Sequence, residues 1–145
     1  MTDKIYIKWE EFHQDVKNLC KQIKNNKNID KIVAISRGGL LPAGIIAYEL
    51  DIRNCHSINI ATYIGNEHKK LDKLENLEDV GEVNENTLII DDLADSGQTF
   101  NLLRKVYPNA VFATVYAKEK GLKEVDLYSR ILPDEWIVFP WDLIG

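Results

Sequence analysis

The chain has 145 residues, of which 45% are hydrophobic, and its formal net charge is −5 at pH 7. This length and composition predict one domain, residues 1–145, that buries its core without disulfides. The acidic balance argues against a nucleic-acid partner, because proteins that bind nucleic acid present a basic surface. No apolar run approaches the roughly 18 residues of a membrane helix and no signal peptide is evident, so we expect a cytoplasmic protein without a membrane span.

Two cysteines, Cys20 and Cys55, stand in apolar contexts and are too few for a metal cluster. We expect both to be buried, reduced thiols, which suits a reducing cytosol.

Strand-like apolar runs alternate with amphipathic patterns along most of the chain. This alternation predicts an α/β fold whose mainly parallel sheet is covered by helices on both faces. In chain order, the pattern predicts strand 4–8, helix 9–25, strand 31–36, helix 40–50, strand 55–62, strand 87–91, helix 99–107 and strand 110–117.

Two further segments do not fit this alternation. Residues 63–86 are charged, show little apolar periodicity and are longer than most connections in a compact domain. Such a segment is either a functional flap or locally disordered, and we favour the flap. Residues 125–145 contain strand-like and turn-like stretches with Pro133 and Pro140. We expect this tail to form a small hood over the edge of the sheet.

The most informative segment is LIIDDLADSGQTF, residues 88–100. An apolar strand run is followed by Asp91 and Asp92, then by Asp95, and then by a Ser-Gly-x-Thr turn that opens a helix. Open α/β sheets bind ligands at such junctions, because N–H groups at the helix start converge on an anion and the helix dipole favours it. The pattern predicts a phosphate site made by Ser96, Gly97, Gln98 and Thr99.

The carboxylates of Asp91 and Asp92 would repel a phosphate, so they must bind a different part of the ligand or a cation. Asp91 and Asp92 suit ribose hydroxyls, which donate to carboxylates, or Mg²⁺, which takes oxygen ligands together with phosphates. A Walker-type nucleotide site is disfavoured because no lysine follows Gly97. The alternative is an Asp-rich turn in which Asp95 or Ser96 caps a helix without further function.

Residues 88–100 resemble the ribose-5-phosphate loop of the type I phosphoribosyltransferases, in which two acidic residues and two small or apolar residues precede D-[ST]-G-x-T. Residues 32–53, the Thr62-Tyr63 pair, residues 116–121 and residues 134–142 resemble, in order and spacing, the bacterial xanthine-guanine members of that family. The resemblance covers nearly the whole chain. It implies a central, mainly parallel sheet with flanking helices, a mobile flap and a small C-terminal hood.

The same resemblance implies a purine salvage reaction. A 6-oxopurine (guanine, xanthine or hypoxanthine) and phosphoribosyl pyrophosphate would give the nucleoside 5'-monophosphate and pyrophosphate, with Mg²⁺ as cofactor. Asp91 and Asp92 would hold the ribose, Asp92 would also ligate the metal, and Asp95 would be the general base at N7 of the purine. We expect the partners to be these small molecules and other copies of the chain, in a homodimer or homotetramer.

The turn after strand 31–36 would receive pyrophosphate. Gly38 and Gly39 allow a ligand to approach the backbone closely, and Arg37 presents a planar guanidinium that matches phosphate oxygens. Taken alone, however, a Gly-Gly turn after a strand often has only a structural role. The resemblance also implies a non-proline cis peptide between Ser36 and Arg37. In the flap, Lys69 stands where related enzymes usually have Arg, so a point charge replaces a bidentate fork.

The purine site is implied by residues near the C-terminus. Lys118 would donate to the 6-oxo group, although a solvated lysine in a charged run is the alternative. Trp136 would stack on the base or belong to an ordinary core, Ile137 would offer backbone groups, and Asp142 would lie near the 2-position substituent.

Two other classes of protein stay open. A regulator that senses phosphoribosyl pyrophosphate would keep the phosphate loop but would need a nucleic-acid surface, which the net charge disfavours. A response-receiver domain could place Asp91, Asp92, Thr114 and Lys118 at strand ends, but its acidic pair belongs on the first strand.

Overall fold

The computed structural model describes residues 3–60 and 79–144. Helices alternate with strands over most of this part of the chain. The elements are β1 (Lys4–Tyr6), α1 (Trp9–Asn26), β2 (Lys31–Ile35), α2 (Leu40–Leu50), β3 (Cys55–Ile58), β4 (Thr87–Ala94), α3 (Gln98–Val106), β5 (Val111–Lys118), the 3-10 helix η1 (Glu119–Glu124), β6 (Leu127–Leu132), β7 (Trp136–Val138) and the 3-10 helix η2 (Pro140–Leu143).

The main sheet has the strand order β3-β2-β4-β5-β6, and all four of its pairings are parallel. The α/β fold with a mainly parallel sheet is therefore confirmed. The chain leaves β2 towards one edge of the sheet and resumes at β4 on the other side of β2. The carboxyl ends of β2 and β4 thus flank the point where the strand order reverses, which is where open α/β sheets form a ligand crevice.

Two hydrophobic clusters cover the two faces of this sheet. One joins the apolar stripe of α1 to residues of α2 and to alternate residues of β2, β4 and β5. The other joins Phe100 and Leu103 of α3 to the opposite side of the same strands. Strands β2 and β5 are buried along their whole length, as parallel strands covered on both faces require.

The predicted hood, residues 125–145, is divided in the structure. Strand β6 joins the main sheet as an edge strand beside β5, whereas β7 pairs in parallel with β1 in a separate two-stranded sheet. The strand-like pattern of this tail did not indicate that β6 joins the main sheet, because its residues are mostly half-buried and partly polar, which is typical of an edge strand. The rings of Phe139 and Trp141 are stacked, with 4.7 Å between their centroids. The ring of Phe12 in α1 contacts Trp141 edge-on, with 4.9 Å between centroids.

Several predicted boundaries also differ. Strand β4 continues to Ala94 instead of ending at Asp91, and β3 ends at Ile58. Cys20 is buried, and burial raises the pKa of its thiol to about 11, but the expectation that Cys55 is buried was wrong. Cys55 begins β3, an edge strand whose first residues are open to solvent.

Most of the predicted flap, residues 63–78 with Lys69, lies outside the described residues, as does Thr62. The C-terminal part of the predicted flap packs against the rest of the domain. Val80 is buried, and the ammonium of the buried Lys31 donates to the Glu82 carbonyl at 2.9 Å. Across residues 3–60 and 79–144, no helix has the length and apolar character needed to cross a membrane.

Candidate active site

The predicted phosphate loop connects β4 to α3. Gly97, immediately before α3, has a φ of 86°, a left-handed conformation that favours glycine. The Gln98 N–H donates to the Ser96 hydroxyl at 3.3 Å, and the N–H groups of the first helical turn have no acceptor within the helix. A cavity of about 200 Å³ opens at this helix start, and it is lined by Asp91, Leu93, Ala94, Asp95, Ser96, Gly97, Gln98, Thr99, Phe100 and Thr114.

Helix η1 supports this loop from behind. A Cβ on Gly121 would lie 2.7 Å from the Ala94 carbonyl oxygen, and one on Gly97 would lie 2.9 Å from Cγ of Glu124. Arg104 of α3 donates to the Glu124 carbonyl at 2.7 Å. The loop is therefore fixed between α3 and η1. The sequence pattern did not predict this support, and the glycine at position 121, after the charged run 118–120, was the one feature that could have indicated it.

The acidic pair lies within β4, next to the loop. Burial, and then the charge of Asp92, raise the pKa of Asp91 well above its ordinary value. Burial also raises the pKa of Asp92, with a smaller contribution from Asp142. Because two adjacent carboxylates resist being charged together in such surroundings, the pair favours hydroxyl donors or a cation as its ligand.

The turn after β2 faces this pair. The Ser36–Arg37 peptide is cis, as the resemblance implied. A Cβ on Gly38 would overlap the Asp92 carboxylate, and one on Gly39 would overlap the backbone of β2 and β4. Both glycines are therefore required by close packing between the turn and β4.

A second cavity extends from this turn to the hood. It is lined by Arg37, Gly38 and Asp92, and on the hood side by Trp141 and Asp142. The Asp142 carboxylate accepts a hydrogen bond from the Phe139 N–H at 2.8 Å. The structure thus groups Asp142 with Arg37 and Asp92, beside the turn that is predicted to receive pyrophosphate, and its contact with the purine stays a prediction.

Lys118 ends β5 as a buried residue, so it is not the solvated lysine of the alternative interpretation. Its ammonium lies 3.4 Å from Asp95 and 3.7 Å from Asp134. Lys120 contacts the same two carboxylates at 3.5 and 3.6 Å. These four residues form a charged cluster beside the phosphate loop, and its members Lys120 and Asp134 were missed because nothing in the local sequence links them to Asp95.

Trp136 is 65% exposed, so it is not an ordinary core residue. It begins β7 two residues after Asp134, and its neighbour Ile137 is buried in the pairing with Ile5. The exposed aromatic face of Trp136 is available for stacking on a planar ligand.

Most of the predicted site residues that the structure describes lie along the carboxyl edge of the main sheet. The phosphate loop, the acidic pair and the Arg37 turn surround the crevice between β2 and β4, and the charged cluster gathers around Lys118 at the end of β5. Trp136 and Ile137 lie on β7 of the separate two-stranded sheet, and Lys69 lies outside the described residues. Such an edge can hold a phosphorylated sugar between an anion site and a carboxylate pair, with a planar group near Lys118.

Comparison with known proteins gives a consistent result. The phosphoribosyl transferase domain family matches residues 4–143. A xanthine-guanine phosphoribosyltransferase from Nitratidesulfovibrio vulgaris (strain Hildenborough) is 44% identical over 137 residues, which cover 94% of this chain and 83% of that protein. One from Chromohalobacter salexigens is 39% identical over 138 residues, with the same two coverages, 94% and 83%.

Solved structures share the fold. The purine phosphoribosyltransferase from Pyrococcus horikoshii superposes with a TM-score of 0.78 at 23% identity, covering 99% of this chain and 96% of that one. The xanthine-guanine-hypoxanthine phosphoribosyltransferase of Helicobacter pylori superposes with a TM-score of 0.71 at 20% identity, covering 99% and 95%. At these identities the likeness concerns the fold alone. The family match over residues 4–143, together with the relatives at 39% and 44% identity, establishes that the chain belongs to the phosphoribosyl transferase domain family.

Proposed function

We propose that this protein is a purine salvage enzyme that transfers the phosphoribosyl group of phosphoribosyl pyrophosphate to N9 of a 6-oxopurine, releasing pyrophosphate. The observation that supports it most is the meeting of the phosphate loop, the Asp91-Asp92 pair and Lys118 along one edge of one sheet. Relatives at 39% to 44% identity have the name xanthine-guanine phosphoribosyltransferase. The family membership and the acidic net charge disfavour the receiver domain and the nucleic-acid-binding regulator.

In this proposal the sugar phosphate follows the crevice. Its 5-phosphate binds the N–H groups of residues 96–99, where the dipole of α3 favours an anion. Its ribose hydroxyls donate to Asp91 and Asp92. Its pyrophosphate faces Arg37 and the backbone of Gly38 and Gly39, with Lys69 of the flap as a further cation.

Mg²⁺ fits the donors that this edge offers. Asp91 and Asp92 supply carboxylate oxygens whose mutual repulsion a divalent cation would relieve. Within residues 3–60 and 79–144 no cluster of three or more metal-binding side chains occurs, so pyrophosphate oxygens and water would complete the coordination, as Mg²⁺ commonly requires. Bound there through Asp92, the cation would neutralise charge on the departing pyrophosphate.

The purine would enter between Lys118 and Asp95. Lys118 donates to the 6-oxo group, Asp95 accepts the N7 proton, and Trp136 and the backbone of Ile137 hold the ring. The bond from C1 of the ribose to the pyrophosphate oxygen breaks as the bond to N9 forms. Asp91 and Asp92 lie where positive charge develops on the ribose, and this arrangement stabilises the transition state.

The test is nucleotide formation by purified protein with phosphoribosyl pyrophosphate and Mg²⁺, using guanine, xanthine, hypoxanthine and adenine in parallel. We expect the three 6-oxopurines to be converted and adenine to be essentially inert. Chelation of Mg²⁺ should abolish conversion. Absence of nucleotide with every base would refute the proposed function.

We further propose that the protein assembles as a homo-oligomer through α2. This helix is apolar on nearly all sides, and Leu40, Leu41 and Tyr48 are exposed, with Tyr48 at 92%. A helix that is apolar on all sides is normally buried, so we expect a second copy of the chain to cover the exposed residues of α2. Leu40 and Leu41 also line the cavity that contains Arg37 and Asp92, which makes the surface continuous with the active site.

Sedimentation or light scattering tests this assembly. Tyr48→Lys should shift the protein towards the monomer, whereas Ile131→Lys, at an exposed position on the edge strand β6, should leave the assembly unchanged. A wild-type monomer at micromolar concentration would exclude the dimer and the tetramer. Cytoplasmic localisation stays a prediction, to be tested by cell fractionation.

A further inference from the structure

Thr114 is a buried polar residue with no assigned role in the reaction. It is 1% exposed, and its side-chain oxygen has no hydrogen-bond partner among the described residues. The residue also lines the cavity at the start of α3, together with the phosphate loop. A buried hydroxyl without a partner is uncommon in folded proteins and usually indicates strain, water or a ligand.

The register of the sheet explains why Thr114 reaches this cavity. It is paired with Asp91 across β4 and β5, and the pair two residues earlier is Ile89 with Phe112. Ile89 and Phe112 belong to the cluster under α3, where the rings of Phe112 and Phe100 lie 5.0 Å apart. Because alternate residues of a strand share a face, Asp91 and Thr114 continue this face to the N-terminus of α3.

The chemistry of the cavity indicates what the hydroxyl would bind. The loop contributes N–H donors and the hydroxyls of Ser96 and Thr99, and the dipole of α3 favours negative charge there. A threonine hydroxyl can donate one hydrogen bond. An anion in this cavity would therefore find a further donor in β5, on the side away from the loop.

We infer that the hydroxyl of Thr114 is a donor to the 5-phosphate of phosphoribosyl pyrophosphate and of the nucleotide product. This inference rests on the proposed function of the sheet edge. Two elements then hold the phosphate: the loop contributes N–H groups at the start of α3, and β5 contributes one hydroxyl from the floor of the cavity. In this role Thr114 is a binding residue that acts on every substrate with a 5-phosphate and on none without it.

Thr114→Val tests the inference, because valine nearly preserves the shape of threonine and removes only the hydroxyl. Thr114→Ser retains a hydroxyl. Ser129→Ala is the matched control, since Ser129 on β6 also has a buried, unpaired hydroxyl but does not line this cavity. Calorimetry should compare phosphoribosyl pyrophosphate and GMP, which have the 5-phosphate, with guanosine, which lacks it.

We expect Thr114→Val to weaken binding of both phosphorylated ligands by about tenfold or more, the range of a hydrogen bond to a charged group, and to leave guanosine unchanged. Its melting temperature should not fall, because the valine side chain has no buried hydroxyl to satisfy. Thr114→Ser and Ser129→Ala should bind all three ligands as the wild type does.

Unchanged affinity of Thr114→Val for GMP, or an equal loss for guanosine, would overturn the inference. If the wild type converts guanine but Thr114→Val binds phosphoribosyl pyrophosphate and GMP normally, only the role of Thr114 is refuted. If the wild type neither binds GMP nor forms nucleotide, the proposed function and the inference fall together.

Discussion

At the scale of single residues, the ion pair of Asp95 and Lys118 would have to open for a base to bind where we propose. Their charged groups lie 3.4 Å apart in the substrate-free protein. A 6-oxopurine presents an acceptor at O6 beside a proton at N7, so one ring edge can contact both side chains after they separate. Lys120 and Asp134 can retain their own contact at 3.6 Å during this exchange.

We expect Asp95→Asn to lower kcat by about 10² or more, because an amide cannot accept the N7 proton in the transition state. Asp134→Asn is a matched control, since Asp134 contacts the same two lysines but is not placed at N7. Steady-state kinetics with guanine should show a much smaller loss for the control. Equal losses would mean that Asp95 only positions the lysines.

Lys118→Met should reduce kcat/KM for guanine and narrow the preference for guanine over adenine. Adenine presents a 6-amino donor to the Lys118 ammonium, which is then left without an acceptor. A site that donates a hydrogen bond to its substrate can discriminate against such an analogue by a factor of roughly 10⁴ in kcat/KM. Lys120→Met, which changes the exposed lysine of the charged cluster, should retain the preference. If the wild type accepted adenine comparably to guanine, the role of Lys118 would be excluded.

Most site residues could be predicted at this scale because they form contiguous motifs. Asp91 to Thr99 and Arg37 to Gly39 each combine a strand end with a turn, and a local pattern suffices to recognise them. Thr114, Lys120 and Asp134 could not be predicted, since their roles depend on register and on contacts between separate elements. The family resemblance identified Asp142 as a site residue, but its grouping with Arg37 and Asp92 could not be predicted, because these two residues are far away in the chain.

At the scale of secondary-structure elements, a polar network ties α1 to the sheet. The buried Asp15 accepts hydrogen bonds from the Tyr116 hydroxyl at 2.6 Å and from Arg130 Nε at 3.1 Å. Arg130 also donates to Glu11 at 2.6 Å, so α1 is joined to both β5 and β6. Burial, and then the hydrogen bond to Asp15, raise the pKa of the Tyr116 hydroxyl, which keeps it protonated as a donor.

We expect Asp15→Ala to lower the free energy of unfolding by about 2 to 3 kcal/mol, because the buried Tyr116 hydroxyl loses its acceptor and Arg130 loses one partner. Glu11→Ala is the control and should cost about 1 kcal/mol or less, since its pair with Arg130 is partly open to solvent. Urea unfolding measures both values. A loss for Asp15→Ala no larger than that for Glu11→Ala would contradict this role.

The elements themselves were predictable where burial produces a clear pattern. The stripe of α1 and the apolar runs of β2 and β5 gave correct element types and nearly correct ends. The place of β6 in the main sheet was not recognised because an edge strand needs no continuous apolar run, and its position depends on pairing with β5. The extension of β4 beyond Asp91 to Ala94 was also missed, since two adjacent carboxylates are typical of a strand end.

At the scale of the whole molecule, the strand order places the two turns that are predicted to bind phosphate groups side by side. The turn after β2 and the loop after β4 leave neighbouring parallel strands at the same edge, and the pairing of β1 with β7 holds the hood near this edge. The sequence could predict each turn but not their separation, because that distance depends on the strand order.

The most direct test of the account is the stoichiometry of products formed from guanine and phosphoribosyl pyrophosphate by the wild-type protein. Pyrophosphate and GMP should be measured in the same reaction mixture over many turnovers. We expect one pyrophosphate for each GMP, at a rate that depends on guanine. Tight binding of phosphoribosyl pyrophosphate without either product, or pyrophosphate release without GMP, would contradict transfer to a purine at this site.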